Sequence, residues 1–289
     1  MAPVSTTPLA AYERFTMFRV TLAAPFVAHV EINRPEKINA FNNVMFREMA
    51  EVFNLLSYDP DVRVILFSGA GPRGFSAGLD VASESTSGPV GTPTAGQDFA
   101  RQAWAVRRHA LLYQEPVNAI ERCEKPVICL LHGVAFGAAI DFAVACDIRH
   151  CTRDVRFCVR EIDVGLAPDV GTLSRLPKLG VSHSWAKSVI YSARVFGGEE
   201  AQRVGLVSEV AESKDNLLSD ALTLAKDIAS KSPVAVQSSK ALWDFSKDRP
   251  VSDGLLYTAA WNGAMVLSDD VKSAMMSGLK KTKPTFAKL

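Results

Sequence analysis

The sequence predicts an α/β core that is followed by a helical C-terminal region. Up to about Thr172, short β-rich segments alternate with helical patterns, which is typical of stacked sheets with helices packed outside. After Thr172 the composition changes and only helical periodicity remains. The 289 residues are 48% hydrophobic and 22% charged, so the chain can bury a large core and is not globally disordered.

The first elements are two strands, a helix and a third strand. Phe18–Leu22 and Phe26–Ile32 predict strands joined by a turn near Pro25. Asn43–Tyr58 has apolar residues at helical spacing, and Val64–Ser68 has the continuous apolar character of a buried strand.

A glycine-rich turn, a loop and a long helix come next. Gly69–Gly78 predicts the turn, and Ala82–Gln97, rich in Ser, Gly, Thr and Pro, predicts the loop. The helix extends from about Phe99 to Arg122, and we expect a break or kink near Pro116 because proline lacks an N–H group.

Three strands and one apolar helix complete the predicted core. Val127–Leu131 is a strand, Gly133–Cys146 is a turn entering a helix, and Ile148–Cys151 and Arg156–Val159 are short strands. We predict a core over residues 1–191 and a helical region over residues 192–289. The predicted helices after Thr172 are Leu173–Leu179, His183–Tyr191, Gly198–Val204, Lys214–Ser230, Pro233–Ser246, Asp253–Val266 and Ser268–Leu279.

Charge and hydropathy exclude several classes of function. Lys plus Arg number 32 against 31 acidic residues, so there is no basic excess for nucleic acid or an anionic membrane. No apolar run approaches the roughly 20 residues of a membrane span. Met1–Ala23 lacks the pattern of a secretory signal and is poor in Arg for a mitochondrial transit peptide.

The cysteines and histidines argue against disulfide chemistry and against a metal site. The five cysteines are odd in number, form no CxxC motif and mostly lie in apolar segments, which favours buried, reduced thiols. The five histidines form no HExxH motif or local cluster, so we expect no metal site. Since no GxSxG motif occurs either, we expect proton chemistry to use carboxylates.

Two turns rich in small residues are candidate binding sites. Gly74–Asp80 follows a strand, where small residues let backbone N–H groups approach a ligand, although a simple tight turn is an alternative. Gly133–Asp141 opens a helix whose first N–H groups are unpaired, although helix–sheet packing is an alternative. Together the turns can supply two donors to one oxyanion.

Three carboxylates in apolar surroundings are candidate proton-transfer groups. They are Asp141, Glu161 and Asp169, whose pKa would rise on burial near one another. Asp169 has an alternative role as a helix cap. Asp141 and Glu161 have alternative partners in nearby arginines, namely Arg149, Arg156 and Arg160.

Three separated motifs resemble the enoyl-CoA hydratase/isomerase (crotonase) superfamily. They are NRPEKINAF at Asn33–Phe41, GFSAGLD at Gly74–Asp80 and HGVAFGAAIDFAVACDIR at His132–Arg149. The resemblance implies a crotonase-like spiral of ββα units with a helical C-terminal trimerisation region. It also implies an acyl-CoA substrate and a homotrimer or homohexamer.

Further segments are most similar to the dienoyl-CoA isomerase branch of this superfamily. They are Ile120–Gly133, Val159–Lys178 and Ser230–Lys240. This similarity implies conversion of 3,5-dienoyl-CoA to 2,4-dienoyl-CoA in fatty-acid β-oxidation. No cofactor is implied, because CoA is part of the substrate. A hydratase, a Δ3-Δ2-enoyl-CoA isomerase and a non-catalytic binding protein of the same fold are the alternatives.

The resemblance also implies roles for individual residues. It places the oxyanion-hole N–H donors at Ala77 and Ala138 and assigns proton transfer to Glu161 and Asp169, with Asp141 orienting that pair. Asp169 is the most diagnostic of these, since hydratases usually have glycine there. The neighbours expected to line the substrate site are Ser76, Gly78, Leu79 and Asp80.

Two further features bear on specificity and location. Gly137-Ala138-Ala139 stands where the family usually has three glycines, so the added methyl groups are expected to narrow the acyl tunnel. Ala287-Lys288-Leu289 is a conservative variant of the SKL peroxisomal address, which an import receptor reads. We therefore expect a peroxisomal location, with a mitochondrial one as the alternative.

Overall fold

A computed structural model describes residues 7–83 and 98–289 of the chain. Most of the predicted loop Ala82–Gln97 therefore lies outside the described residues. Within the described part, no helix is both long and apolar enough to cross a membrane.

Eleven strands in the described ranges form two sheets. The strands are β1 (Thr7–Pro8), β2 (Phe18–Ala24), β3 (Val27–Ile32), β4 (Val64–Gly69), β5 (Gly74–Ser76), β6 (Val127–Leu131), β7 (Val134–Phe136), β8 (Ile148–Thr152), β9 (Arg156–Cys158), β10 (Phe196–Gly197) and β11 (Glu209–Ala211). The larger sheet has the order β1-β2-β3-β4-β6-β8-β11, and the smaller has the order β10-β9-β7-β5.

The described α-helices of four or more residues cover the outside of these sheets and form the C-terminal region. They are α1 (Asn43–Tyr58), α2 (Phe99–Arg122), α3 (Ala138–Ala145), α4 (Thr172–Arg175), α5 (His183–Ser192), α6 (Gly198–Arg203), α7 (Lys214–Ala229), α8 (Pro233–Ser246), α9 (Val251–Met265) and α10 (Asp269–Lys280).

The chain forms a spiral by giving one strand to each sheet in every turn. β4, β6 and β8 pair in parallel in the larger sheet, with Ile65 opposite Val127 and Ile128 opposite Ile148. β5, β7 and β9, which directly follow them, pair in parallel in the smaller sheet. Helices α2 and α3 connect the turns, so the predicted spiral of ββα units is confirmed.

Two apolar clusters hold these layers together. The main cluster joins the sheets to α1, α2 and α3, and it includes the fully buried Phe41, Phe53 and Phe67. The second cluster packs α7, through Leu217 and Ala221, on the outer face of the larger sheet. All five cysteines are free and buried, as predicted.

The predicted break at Pro116 is wrong, whereas the alternative of a kink there stays a prediction. Helix α2 is continuous from Phe99 to Arg122 although Pro116 lies inside it. Val117 and Ile120, just after the proline, are fully buried in the core. Their packing outweighs the missing backbone N–H and holds the helix together.

The predicted domain boundary at residue 191 falls inside the α/β core. β10 pairs with β9, and β11 extends the larger sheet beside β8. Strand β7 lies within a segment predicted as a turn. These strands are two or three residues long, too short for the alternation that identifies a strand in a sequence.

Candidate active site

The first turn follows β5, and its Ala77 N–H is already used. This group donates to the carbonyl of Ile38 at 2.9 Å. A donor bonded within the protein cannot also stabilise a ligand oxyanion without losing its partner. The structure therefore contradicts the donor role predicted for Ala77.

Only one N–H of this turn has no partner among the described contacts. The N–H of Gly78 donates to Ser76 Oγ at 3.1 Å, and that of Asp80 donates to the Phe41 carbonyl at 2.8 Å. The N–H between them, on Leu79, has no acceptor within the described residues. Leu79 is thus the donor that the turn offers.

Two other predicted site residues hold the turn in place instead of facing a ligand. Ser76 is fully buried and donates its hydroxyl hydrogen to the Asn39 carbonyl at 2.8 Å. Asp80 accepts from Arg34 Nη1 at 2.8 Å, and this hydrogen bond holds the pKa of the Asp80 carboxyl below its usual range.

The second turn ends at the start of α3 and offers the N–H of Ala138. Gly137 has a φ of +56° and donates its own N–H to the Cys158 carbonyl at 2.9 Å. Ala138 is the first residue of α3, where a backbone N–H has no intrahelical acceptor. Alanine fits here because, within Gly137-Ala138-Ala139, only Gly137 has a positive φ. The methyl group of Ala139 is fully buried in the core.

The two turns touch one another. A Cβ built on Gly78 would lie 2.7 Å from the carbonyl oxygen of Phe136 and 3.5 Å from the nitrogen of Ala138. This contact requires glycine at position 78, whose φ is +88°. The unpaired N–H groups of Leu79 and Ala138 therefore belong to adjoining segments.

Glu161 packs directly on the second turn. A Cβ built on Gly137 would lie 3.3 Å from Glu161 Oε1. The other carboxyl oxygen, Oε2, is buried and has no hydrogen-bond partner within the described residues. The neighbouring Arg160 pairs with Asp163, and Glu161 has no ion-pair partner in residues 7–83 and 98–289.

Asp141 lies one helical turn into α3 and is 1% exposed. Its Oδ1 accepts from both the backbone N–H of Thr172 at 2.6 Å and the Thr172 hydroxyl at 2.8 Å. Its Oδ2 is buried and unpartnered in the described part of the chain. Asp141 thereby ties α3 to the start of α4, close to Asp169.

Asp169 is exposed in a cleft of about 280 Å³ between α2 and α4. Its carbonyl accepts from Gln114 Nε2 at 2.7 Å, which anchors its backbone to α2. The N-cap residue of α4 is Gly171, which makes no side-chain capping hydrogen bond. The alternative in which Asp169 is a helix cap is therefore wrong.

Arginine pairing does not neutralise the acidic groups directly. Arg149 donates to the backbone carbonyls of Leu206 and Cys146, and Arg156 lies over the Phe136 ring. The charge of Arg175 lowers the pKa of Asp141, but the larger effect of burial raises it.

Burial and mutual repulsion raise the pKa of two of the carboxyls. Burial, followed by the charges of Asp141 and Asp169, raises the pKa of Glu161 to about 7. Burial raises the pKa of Asp141 to about 6, with a smaller contribution from the charge of Asp169. Glu161 can thus accept or donate a proton near neutral pH.

The structure brings the three acidic residues and the two turns into one region. The sequence did not reveal Thr172 as the partner of Asp141, and it gave no means of choosing Leu79 over Ala77. Ala77 and Leu79 lie on either side of Gly78 in one motif, and only their hydrogen bonds in the folded chain distinguish them. In the described ranges, no cluster of His, Cys, Asp and Glu suits a metal ion.

Comparison with known proteins gives one consistent family. The profile described as enoyl-CoA hydratase/isomerase matches residues 24–288. The mitochondrial Delta(3,5)-Delta(2,4)-dienoyl-CoA isomerase of Homo sapiens is 45% identical over 278 residues, which is 95% of this chain and 84% of that protein. The peroxisomal protein of that name from Arabidopsis thaliana is 41% identical and covers 91% of this chain and 93% of its own.

Solved structures agree with the fold. A putative enoyl-CoA hydratase from Streptomyces coelicolor A3(2) superposes with a TM-score of 0.84 at 28% identity and covers 99% of both chains. The family profile spans most of the chain, and the relatives span almost all of it. This chain therefore belongs to the enoyl-CoA hydratase/isomerase family.

Proposed function

We propose that this protein isomerises 3,5-dienoyl-CoA to 2,4-dienoyl-CoA in fatty-acid β-oxidation. The observation that carries the proposal is the convergence of three carboxylates, in which the charges of Asp141 and Asp169 raise the pKa of Glu161 and the charge of Asp169 raises that of Asp141. Relatives named as dienoyl-CoA isomerases, at 41–45% identity, support the same reaction.

The reaction moves one proton and two double bonds. A carboxylate removes a proton from C2 of the acyl chain, and the electron pair delocalises through the diene onto the thioester oxygen. The N–H groups of Leu79 and Ala138 stabilise this oxyanion. A second carboxyl then protonates C6, which leaves double bonds at positions 2 and 4.

The proton-transfer pair in this proposal is Glu161 and Asp169. Glu161, with a pKa of about 7, is suited to exchange a proton with carbon near neutral pH. Asp169 is exposed at the cleft between α2 and α4, and its charge contributes to the raised pKa of Glu161. Asp141 orients the pair through Thr172 and raises the pKa of Glu161 by its charge. No metal or redox cofactor is required, because CoA belongs to the substrate.

A parallel assay distinguishes this reaction from hydration. Purified protein is given 3,5-dienoyl-CoA and, separately, 2-enoyl-CoA, and the absorbances of the conjugated diene and of the enoyl thioester are followed. We expect diene isomerisation without added cofactor. Efficient hydration of 2-enoyl-CoA with no diene isomerisation would overturn the proposal and favour the hydratase alternative.

The C-terminal helices support assembly into a homotrimer or homohexamer. Large apolar side chains on α8, α9 and α10 are exposed in the single chain, among them Trp243 at 74%, Leu256 at 73% and Leu279 at 80%. Exposed large apolar side chains on three successive helices are typical of a surface buried between subunits. Light scattering at micromolar concentration tests this assembly, and a monomer would refute it.

The terminal tripeptide supports a peroxisomal location through an import receptor. The carbonyls of Phe286 and Ala287 accept from Arg63 Nη2 at 2.8 Å and 3.0 Å, while Leu289 remains 55% exposed. Imaging an N-terminal fluorescent fusion with and without Ala287–Leu289 tests this. Unchanged import after the deletion would refute the tripeptide as the import signal.

A further inference from the structure

Ser76 controls one N–H group of the first turn. Its hydroxyl donates to the carbonyl of Asn39 at 2.8 Å and accepts from the N–H of Gly78 at 3.1 Å. Because the single hydroxyl hydrogen is used on Asn39, a lone pair stays directed to Gly78. Ser76 is fully buried, so water does not compete for either bond.

Asn39 holds the segment that enters the turn. Its side-chain Nδ2 donates to the carbonyls of Ala70 at 3.0 Å and Gly74 at 3.1 Å. Its Oδ1 accepts from the backbone N–H of Arg34 at 3.0 Å. Asn39 is also fully buried, and its amide uses both donor hydrogens and its acceptor oxygen within the protein.

The backbone around Asn39 has an unusual conformation. Ile38 and Asn39 have φ values of +51° and +53°, in the left-handed region that a β-branched residue such as isoleucine rarely adopts. In this conformation the Ile38 carbonyl accepts from the N–H of Ala77 at 2.9 Å. The bonds of the Asn39 side chain fix the conformation on which that contact depends.

We infer that Asn39 and Ser76 are positioning residues for the reaction. Together they keep the N–H groups of Ala77 and Gly78 bonded inside the protein and leave that of Leu79 as the one donor of the turn for the thioester oxygen. This inference rests on the proposed thioester site at Leu79 and Ala138. Both side chains are fully buried and act through the turn, without touching the substrate.

The Ser76→Ala variant tests the inference against a matched control, Ser57→Ala. Ser57 is also buried, and its hydroxyl accepts a backbone N–H, that of Glu124, at 3.0 Å, but at the far end of α1. We expect Ser76→Ala to lower kcat about tenfold and to change KM less than about threefold. This loss in kcat is smaller than the about 10²–10³-fold loss for removing a whole oxyanion donor, because the Leu79 N–H is displaced and not removed. Ser57→Ala should retain wild-type kcat.

A spectroscopic readout separates positioning from stability. Polarisation of the thioester carbonyl by N–H donors shifts the absorbance of bound 2,4-dienoyl-CoA to longer wavelength. Ser76→Ala should reduce this shift, and Ser57→Ala should retain it, at comparable losses of melting temperature. A full shift and wild-type kcat in Ser76→Ala would overturn the inference.

The Asn39→Gly variant provides an independent test, because glycine tolerates the positive φ at this position. Glycine adopts the left-handed conformation without strain but lacks the amide that binds Ala70 and Gly74. We expect a lower kcat and a reduced spectral shift, and wild-type values of both would contradict the role of Asn39. If the wild-type protein neither turns over dienoyl-CoA nor shifts its spectrum, the thioester site itself is wrong and the inference falls with it.

Discussion

The two turns of the site present an unpaired N–H group in different ways. Ala138 has one because it is the first residue of α3, and the first N–H groups of any α-helix have no intrahelical acceptor. In the first turn, the N–H groups of Gly78 and Asp80 are bonded to Ser76 and Phe41, and that of Leu79 between them has no acceptor within the described residues. The first arrangement follows from secondary structure alone, and the second depends on contacts with distant parts of the chain.

This difference explains which part of the site the sequence could predict. A glycine followed by an apolar helical pattern indicates a helix start, where the first N–H groups have no acceptor, whereas the choice of Ala138 as the donor came from the family resemblance and stays a prediction. Nothing local distinguishes Ala77 from Leu79, because the acceptor that occupies Ala77 is the carbonyl of Ile38, thirty-nine residues earlier. Sequence patterns describe near neighbours well and distant hydrogen bonds poorly.

The same distinction holds for the fold. Helix α1 and strand β6 were predicted with the bounds that the structure has, because each carries a strong periodic or apolar signal. Strands β7, β10 and β11 were missed, because two or three residues give no period and only pairing with a neighbouring strand defines them.

The largest expected effect falls on the carboxylate that packs against the second turn. Glu161→Gln keeps the shape of the side chain but cannot exchange a proton, so kcat should fall by about 10²–10⁴-fold. The matched control is Asp163→Asn, an exposed carboxylate in the same short helical segment. Steady-state kinetics with 3,5-dienoyl-CoA check this, and near-normal turnover in Glu161→Gln would exclude Glu161 from proton transfer.

The second effect tests the helix-start N–H directly. Proline is well tolerated at the first position of a helix, where its missing N–H has no intrahelical partner. Ala138→Pro should therefore lower kcat by about 10²–10³-fold, the usual loss for one oxyanion donor, with the fold retained by circular dichroism. Normal kcat in a folded variant would show that the second turn contributes no donor.

A third prediction concerns the pH dependence of the reaction. The charge of Asp141 raises the pKa of Glu161, so Asp141→Asn should shift to lower pH the limb of the kcat profile that reports Glu161 ionisation. Asp163→Asn should leave that limb in place. An unshifted limb in Asp141→Asn, measured between pH 5 and pH 9, would mean that the two carboxyls do not interact during turnover.

The smallest expected effect is on stability. The folded-state pKa of Glu161 is raised to about 7, so its contribution to stability is present at low pH and is lost as pH rises through that value. Glu161→Gln does not ionise and should melt at a higher temperature than the wild type at pH 8. The difference should vanish at pH 4, and equal melting temperatures at pH 8 would contradict the raised pKa.

The contact partners of Arg63 are synthesised at widely separated times. Its guanidinium stacks 4.1 Å from the centre of the Phe26 ring and donates to the carbonyls of Ala229 and Phe286, the last of which lies 223 residues away. A ribosome releases the partners of Arg63 in sequence, first the aromatic ring, then the end of α7, and last the C-terminal segment. The guanidinium at the start of the central strand β4 is therefore enclosed by contacts that need the C-terminal segment, which is synthesised after the rest of the core.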